Sequence, residues 1–243
     1  MFTLFQAEWF KLRKTNILPI LFTGPIVGIL IGLFANTDMF PDEANQWTGL
    51  LLVMNLTYAL LFLPLVTGIL AATICRYEHQ AGGWKQLLSL PVSREQVFVT
   101  KYFLLVFLIL VIQLLYFLSF TSVGLVRGLT DTFPMAIVWK SIVGGWIATF
   151  PLAALQLWMS TMFKSFAASF SVNVIFTLPA ILAINSAKFG PYYPWAQPFS
   201  MMYVGGDTTD VFFIPWEQLL TVVGGSFLVF FIGGYIYFKR KPI

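Results

Sequence analysis

Charged residues in this chain are confined to the gaps between long apolar runs. Six stretches contain no Asp, Glu, Lys or Arg: residues 15–37, 44–75, 102–126, 141–163, 165–187 and 218–238. Each can cross a hydrocarbon core about 30 Å thick as a helix, which takes roughly 20 residues at about 1.5 Å rise. A charge at the bilayer centre costs about 2.5–3.5 kcal/mol on insertion scales, so unbroken absence of charge is what a membrane selects. A soluble helix of this length carries a polar stripe. The runs predict an all-α integral membrane protein of six transmembrane helices, forming one transmembrane domain over residues 1–243.

Basic residues set the expected orientation. With the N-terminus inside and six alternating spans, the inner loops hold Lys11, Arg13, Lys14, Arg76, Lys85, Arg94, Lys101, Lys164, Lys239, Arg240 and Lys241. That is eleven of the fourteen Lys and Arg, with Arg127, Lys140 and Lys188 outside. Short loops rich in Lys and Arg stay on the cytoplasmic side, which predicts both termini in the cytoplasm of a multi-pass protein. The acids run the other way: Asp38, Asp42, Glu43, Asp131, Asp207, Asp210 and Glu217 fall outside.

Charged residues make up only 10% of the chain, against about 25% in soluble domains. The net charge of +4 calls for no nucleic-acid partner, because the basic residues lie where anionic inner-leaflet lipid attracts them. Cys75 is the single cysteine, which excludes an intrachain disulfide and a thiol metal site. No cleavable signal peptide is expected: residues 15–37 are too long for a typical apolar signal region, and no clear small-residue cleavage site follows.

Residues 1–14 read as a separate interfacial helix, with Phe2, Phe5, Trp9 and Leu12 at helical spacing, or else as an extension of the first span. Gly24, Gly28 and Gly32 place a small-residue ladder on one face of that span. Such ladders let helices approach closely, here either within the subunit or at a subunit interface. Pro64 predicts a kink in the second span. Residues 188–216, between spans five and six, hold four prolines and three glycines among aromatics that include Trp195. They predict an extracellular hairpin, re-entrant or resting on the membrane surface. Trp195, Asp207 and Asp210 there are the candidate residues for handling cargo at the outer face.

The largest inner loop, 76–101, reads RYEHQAGGWKQLLSLPVSREQVFVTK. Its first half predicts a short amphipathic helix from Glu78 to Leu90, weakened at Gly82 and Gly83, with Trp84, Leu87 and Leu88 on one face. Pro91 stops it. Ser93 and Gln96 then form a capping box, with Val92 and Val97 as its hydrophobic staple, at the start of the third span. Capping accounts for the second half of the loop. It leaves unexplained a short helix with an apolar face and no evident core to bury it in.

A glutamate, then a glycine and a bulky residue, two leucines and Pro-Val-Ser-Arg before a lysine-led third span resemble the first intracellular loop of ABC exporter permeases of the second membrane family. The residues carrying the likeness are Glu78, Gly83, Trp84, Leu87, Leu88, Pro91, Val92, Ser93, Arg94 and Lys101. They fit the pattern of the bacterial lantibiotic-immunity permeases best. Six spans, an N-terminal interfacial helix and an outer hairpin extend the likeness along nearly the whole chain. The resemblance implies that this segment is a coupling helix docking on a dimer of ABC ATPase subunits. It also implies a second identical or similar permease subunit, and export of an amphipathic peptide antibiotic across a bacterial cell membrane. Departures are the short chain and the lack of an obvious polar substrate pocket.

The chain has no G-x-x-x-x-G-K-[ST] phosphate cradle. ATP and Mg are therefore expected on the partner subunit, with no cofactor, metal or catalytic residue in this chain. The six runs also lack histidine, which argues against a proton- or ion-driven transporter or a channel. His79, in the loop, reads as a solvated neighbour of Glu78. Asn55, Gln113, Gln156, Asn173 and Asn185 are the polar residues expected inside the bilayer, each a helix-bonding group or a cargo contact. Export of another drug or lipid-like cargo, and a non-transporting membrane scaffold or sensor, are the alternative readings.

Overall fold

The computed structural model describes residues 2–15, 17–36, 45–80, 82–89, 91–186, 188–204 and 214–241, and all regular structure among them is helical. Six helical stretches are long and apolar enough to cross a membrane: Ile17–Phe34, Gln46–His79, Arg94–Val126, Met135–Met162, Phe166–Ala183 and Trp216–Arg240. Each coincides with one charge-free run. The chain is an all-α, multi-pass integral membrane protein.

A separate short helix, α1 (Phe2–Arg13), precedes the first span, α2 (Ile17–Phe34). Leu18, Phe22, Ile26 and Leu30 recur every four residues on α2 and are all exposed, a stripe that suits lipid. Gly24, Gly28 and Gly32 lie on the buried face. A Cβ at Gly24 would come within 2.9 Å of Tyr58, at Gly28 within 3.1 Å of Tyr116, and at Gly32 within 2.8 Å of Met54. The ladder thus seats side chains of the same subunit. Tyr58 and Tyr116 stack on each other with ring centroids 3.7 Å apart.

The second span is built from α3 (Gln46–Thr57), a π-helical turn (Tyr58–Phe62) and α4 (Leu63–His79). Pro64 stands in the first turn of α4. Its ring displaces the carbonyl four residues back, and the wider π turn ahead of it takes up the misfit. The irregularity at Pro64 takes the form of this π turn.

After α5 (Gly83–Leu88) come the spans α6 (Arg94–Val126), α7 (Met135–Met162) and α8 (Phe166–Thr177), with a short α9 (Ala180–Ala183) extending the last beyond Pro179. At 33 residues, α6 is about 50 Å long, so its Arg94 end projects past an apolar slab. The last span is α11 (Trp216–Arg240).

Residues 190–204 fold inward. A 3-10 turn (Gly190–Tyr192) leads into α10 (Gln197–Met202), where Gln197, Phe199, Met201 and Met202 are buried. The Met202 carbonyl, at the end of α10, accepts from Asn55 Nδ2 (2.8 Å) and Ser141 Oγ (3.1 Å), on the second and fourth spans. Residues 190–204 of the expected hairpin pack into the bundle, and 205–213 lie outside the described residues. An apolar segment whose end carbonyls find donors inside the bundle is better buried than laid on its surface.

Candidate functional site

Both termini, the loop around α5 and the short turn 163–165 gather at one end of the bundle, and that end holds a sealed ion cluster. Glu8 on α1, Glu78 on α4 and Lys101 on α6 are each at most 3% exposed. Lys101 Nζ lies 2.5 Å from Glu8 Oε2, donates to the Ile74 carbonyl at 3.0 Å, and approaches Glu78 Oε2 at 3.1 Å off the hydrogen-bonding direction. Lys11 closes the ring at 2.6 Å from Glu8 Oε1 and 2.8 Å from Glu78 Oε1. Two carboxylates and two ammonium groups balance, which is the condition for burying charge at all. The cluster pins α1 to the second and third spans.

Beside it, α4 ends at His79, and the chain breaks through Gln80 before α5. Gly82 takes φ +73°, the left-handed conformation that glycine adopts without a Cβ penalty. A Cβ on Gly83 would meet the Tyr77 carbonyl at 2.7 Å. This pair of glycines lets α5 fold back against α4. The expected helix from Glu78 to Leu90 is thereby divided: Glu78 belongs to the span, and only residues 83–88 form the loop helix.

Trp84 and Leu87 are buried, at 7% and 8% exposure. The indole packs on Phe238 of α11 with ring centroids 5.1 Å apart, between the ammonium groups of Lys101 (5.8 Å) and Lys241 (5.9 Å). The apolar face that lacked a core in the sequence reading has one in the fold, supplied by the last span. Trp84 Nε1 donates to His79 Nδ1 at 3.2 Å. An indole nitrogen only donates, so His79 Nδ1 is the acceptor and its Nε2–H donates to the Ser160 carbonyl at 2.7 Å. His79 is a neutral bridge from α5 to the end of α7, rather than a solvated neighbour of Glu78.

Lys241 closes the same corner. Its ammonium donates to the Thr161 carbonyl, and Arg94 Nη1 donates to the Lys241 carbonyl at 2.5 Å. Burial holds the Lys241 amine below its usual range. The Ser93–Gln96 capping box forms as predicted, with Gln96 N–H donating to Ser93 Oγ at 3.1 Å and Ser93 N–H to Gln96 Oε1 at 3.1 Å.

Of the residues singled out for coupling, Glu78, Trp84 and Leu87 lie inside the chain, while Pro91 is exposed and Arg94 half-buried. The Leu88 side chain lies outside the described residues, as do Asp207 and Asp210. What α5 offers outward is Lys85 and Gln86, both exposed. Trp195 is buried at 6% exposure and donates to Asn173 Oδ1 at 2.8 Å, so its ring braces the bundle. Sequence reasoning missed Glu8, Lys11 and Lys101 as partners of Glu78. The available signal was that Glu8 and Glu78, with Glu95, are the few acids at a predominantly basic end.

The polar groups within the spans bond to one another. Asn55 Oδ1 accepts from Tyr116 at 2.8 Å, and Gln113 Oε1 accepts from Tyr58 at 3.1 Å. Asn173 Nδ2 donates to the Pro64 and Leu65 carbonyls at 3.0 and 3.2 Å, and its Oδ1 also accepts from Gln156 at 2.9 Å. Asn185 bonds back to the Ile181 carbonyl. The contacts of Asn55, Gln113, Gln156 and Asn173 tie helices together, whereas that of Asn185 stays within its own segment.

Six helices able to span a membrane, a buried charge cluster at one end and a buried segment before the last helix describe a polytopic membrane protein. The profile of the ABC-2 family transporter proteins matches residues 4–180, and the chain belongs to that family. It is 22% identical to the bacitracin transport permease protein BCRB of Bacillus licheniformis over 212 residues, covering 86% of this chain and 99% of that protein. No solved structure matches the chain.

Proposed function

We propose that this permease exports an amphipathic peptide antibiotic from a bacterial cell membrane, giving self-immunity of the lantibiotic or bacteriocin kind. Two permease subunits, identical or similar, work with a dimer of ABC ATPase subunits that binds ATP and Mg. Both termini and the loop around α5 face the cytoplasm, and the ATPase meets the loop there through Lys85, Gln86 and Pro91.

The observation that carries this reading is how tightly the loop is tied to the spans. Trp84 is wedged against α11, His79 links it to α7, and Glu78 is held by α1 and α6 through the ion cluster. A push on the exposed edge of α5 therefore moves whole helices as rigid bodies. A cationic peptide cargo is supported by the acids of the loops expected outside, Asp38, Asp42, Glu43, Asp207 and Asp210, all outside the described residues, and by the likeness to a bacitracin transport permease. Co-expression with a matching ATPase should raise resistance to a cationic membrane-active peptide, and Asp207→Asn with Asp210→Asn should lower it in a salt-dependent way. Unchanged sensitivity across a panel of such peptides, with ATPase activity intact, would remove the peptide assignment.

A further inference from the structure

Two cavities adjoin at the end of the bundle that carries the termini. The first, about 370 Å³, lies between the ends of α4, α7 and α8, and Arg76, Lys164 and Ser165 are among its walls. The second, about 400 Å³, lies between α2, α4 and α8 and is bounded by Lys14, Thr15 and Ile20. Arg76, Gln80 and Phe166 belong to both. Each has the size of a small-ligand site.

The charge balance of this end leaves these cations uncompensated. Its acids Glu8, Glu78 and Glu95 are taken by Lys11, Lys101 and Lys239. The Arg76 and Lys164 side chains make no ion pair or hydrogen bond with any described residue, and the Lys14 ammonium lies over the Phe10 ring at 5.0 Å. Like charges gathered around open cavities repel one another unless an anion sits between them. Each cavity thus presents two cations, with Arg76 in the shared wall.

We infer that these cavities seat the headgroup of an anionic phospholipid, its phosphate held by Arg76 with Lys164 on one side and Lys14 on the other. A guanidinium matches two phosphate oxygens at once, while an ammonium acts as a point charge. Lipid is favoured over a soluble phosphate by the walls: Ile20 and Phe166 are apolar, and Phe166 is exposed. On α4 the same face continues from Thr73 to Ile69 and Leu65, one and two turns further into the span and both half-buried. An acyl chain can follow that face. Basic pockets between transmembrane helices are the recurrent seat of such headgroups. A lipid with two phosphates, one per cavity, is the strongest ligand the arrangement predicts.

This inference rests on the membrane-permease reading but not on ATP coupling or cargo, so its test uses the full-length permease alone. Native mass spectrometry of the detergent-purified protein, offered cardiolipin, phosphatidylglycerol or phosphatidylcholine, should show retention in that order. Arg76→Gln should weaken cardiolipin retention about tenfold, the loss of one charge-assisted bidentate contact, and Lys164→Gln should also weaken it. Arg240→Gln, an exposed cation outside both cavities, should leave it unchanged. Arg76 and Lys164 are exposed, so folding does not depend on them; circular dichroism of each variant verifies this. Equal retention of phosphatidylcholine, or wild-type retention by Arg76→Gln, would overturn the proposal. Displacement by millimolar inorganic phosphate would assign the site to a soluble anion instead.

Discussion

Lys101 of α6 and Glu8 of α1 meet at 2.5 Å with 1% and 2% of their surfaces exposed. Ninety-three residues separate them, and the contact buries a full ion pair where the first helix crosses the base of the third span. Removing one member of a buried pair leaves the other charge without compensation. The relationship therefore predicts a steep asymmetry between members of the cluster.

Lys101→Met should destabilise the protein by about 3–5 kcal/mol, the range for breaking a buried ion pair. Both Glu8 and Glu78 lose their sealed partner. Lys11→Met should cost much less, because the Lys11 side chain is 32% exposed and water screens what it contributes. Thermal unfolding in detergent, read by loss of the monodisperse peak, compares the two. Equal losses would contradict the central place of Lys101.

Trp84→Phe and Trp84→Ala should separate packing from hydrogen bonding. Phenylalanine keeps a ring against Phe238 but strips half-buried His79 Nδ1 of its donor, at about 0.5–1.5 kcal/mol for the lost hydrogen bond. Alanine also loses the packing, about 3–5 kcal/mol. Lys85→Glu touches neither, since Lys85 is exposed; it should leave the melting temperature unchanged and weaken association with the ATPase. A pull-down at matched folded concentrations measures this, and full association by Lys85→Glu would count against the proposed docking edge.

Glycines should sort by what stands over them. A Cβ on Gly68 would fall 2.1 Å from Asn173 Nδ2, so Gly68→Ala must push aside the amide that bridges α4, α7 and the Trp195 segment. Gly225 has nothing within 4 Å, and Gly225→Ala in the exposed part of α11 should be neutral or stabilising by up to about 1 kcal/mol. Expression level and thermal stability of the two variants report the contrast.

Asn173→Leu should cost about 1–3 kcal/mol, because Trp195 Nε1 and Gln156 Nε2 both donate to its oxygen and would be left without it. Trp195→Phe should cost less, removing one donor while keeping the stack on Phe176 (centroids 5.1 Å apart). If Trp195 instead served cargo, Trp195→Phe would alter resistance with stability unchanged. Parallel resistance and unfolding assays distinguish the two.

The sequence by itself determined the number of spans and where each lies, because a bilayer admits no long charged helix and the spacing of Lys, Arg, Asp and Glu records that directly. It also determined the capping box at Ser93, a contact closed within four residues. Only the tertiary structure decided which surfaces those elements keep. Trp84 looked like an unburied anchor because Phe238, which covers it, lies more than 150 residues away in the chain. The ladder at Gly24, Gly28 and Gly32 left open whether it meets its own subunit or another, and the Tyr58–Tyr116 stack answers that. In the sequence Glu78 reads as a coupling-loop residue and Lys101 as the lysine leading the third span, with nothing to join either to Glu8. Their burial depends on four groups converging from three helices, and no local pattern encodes a balance of charge that exists only once those helices have packed.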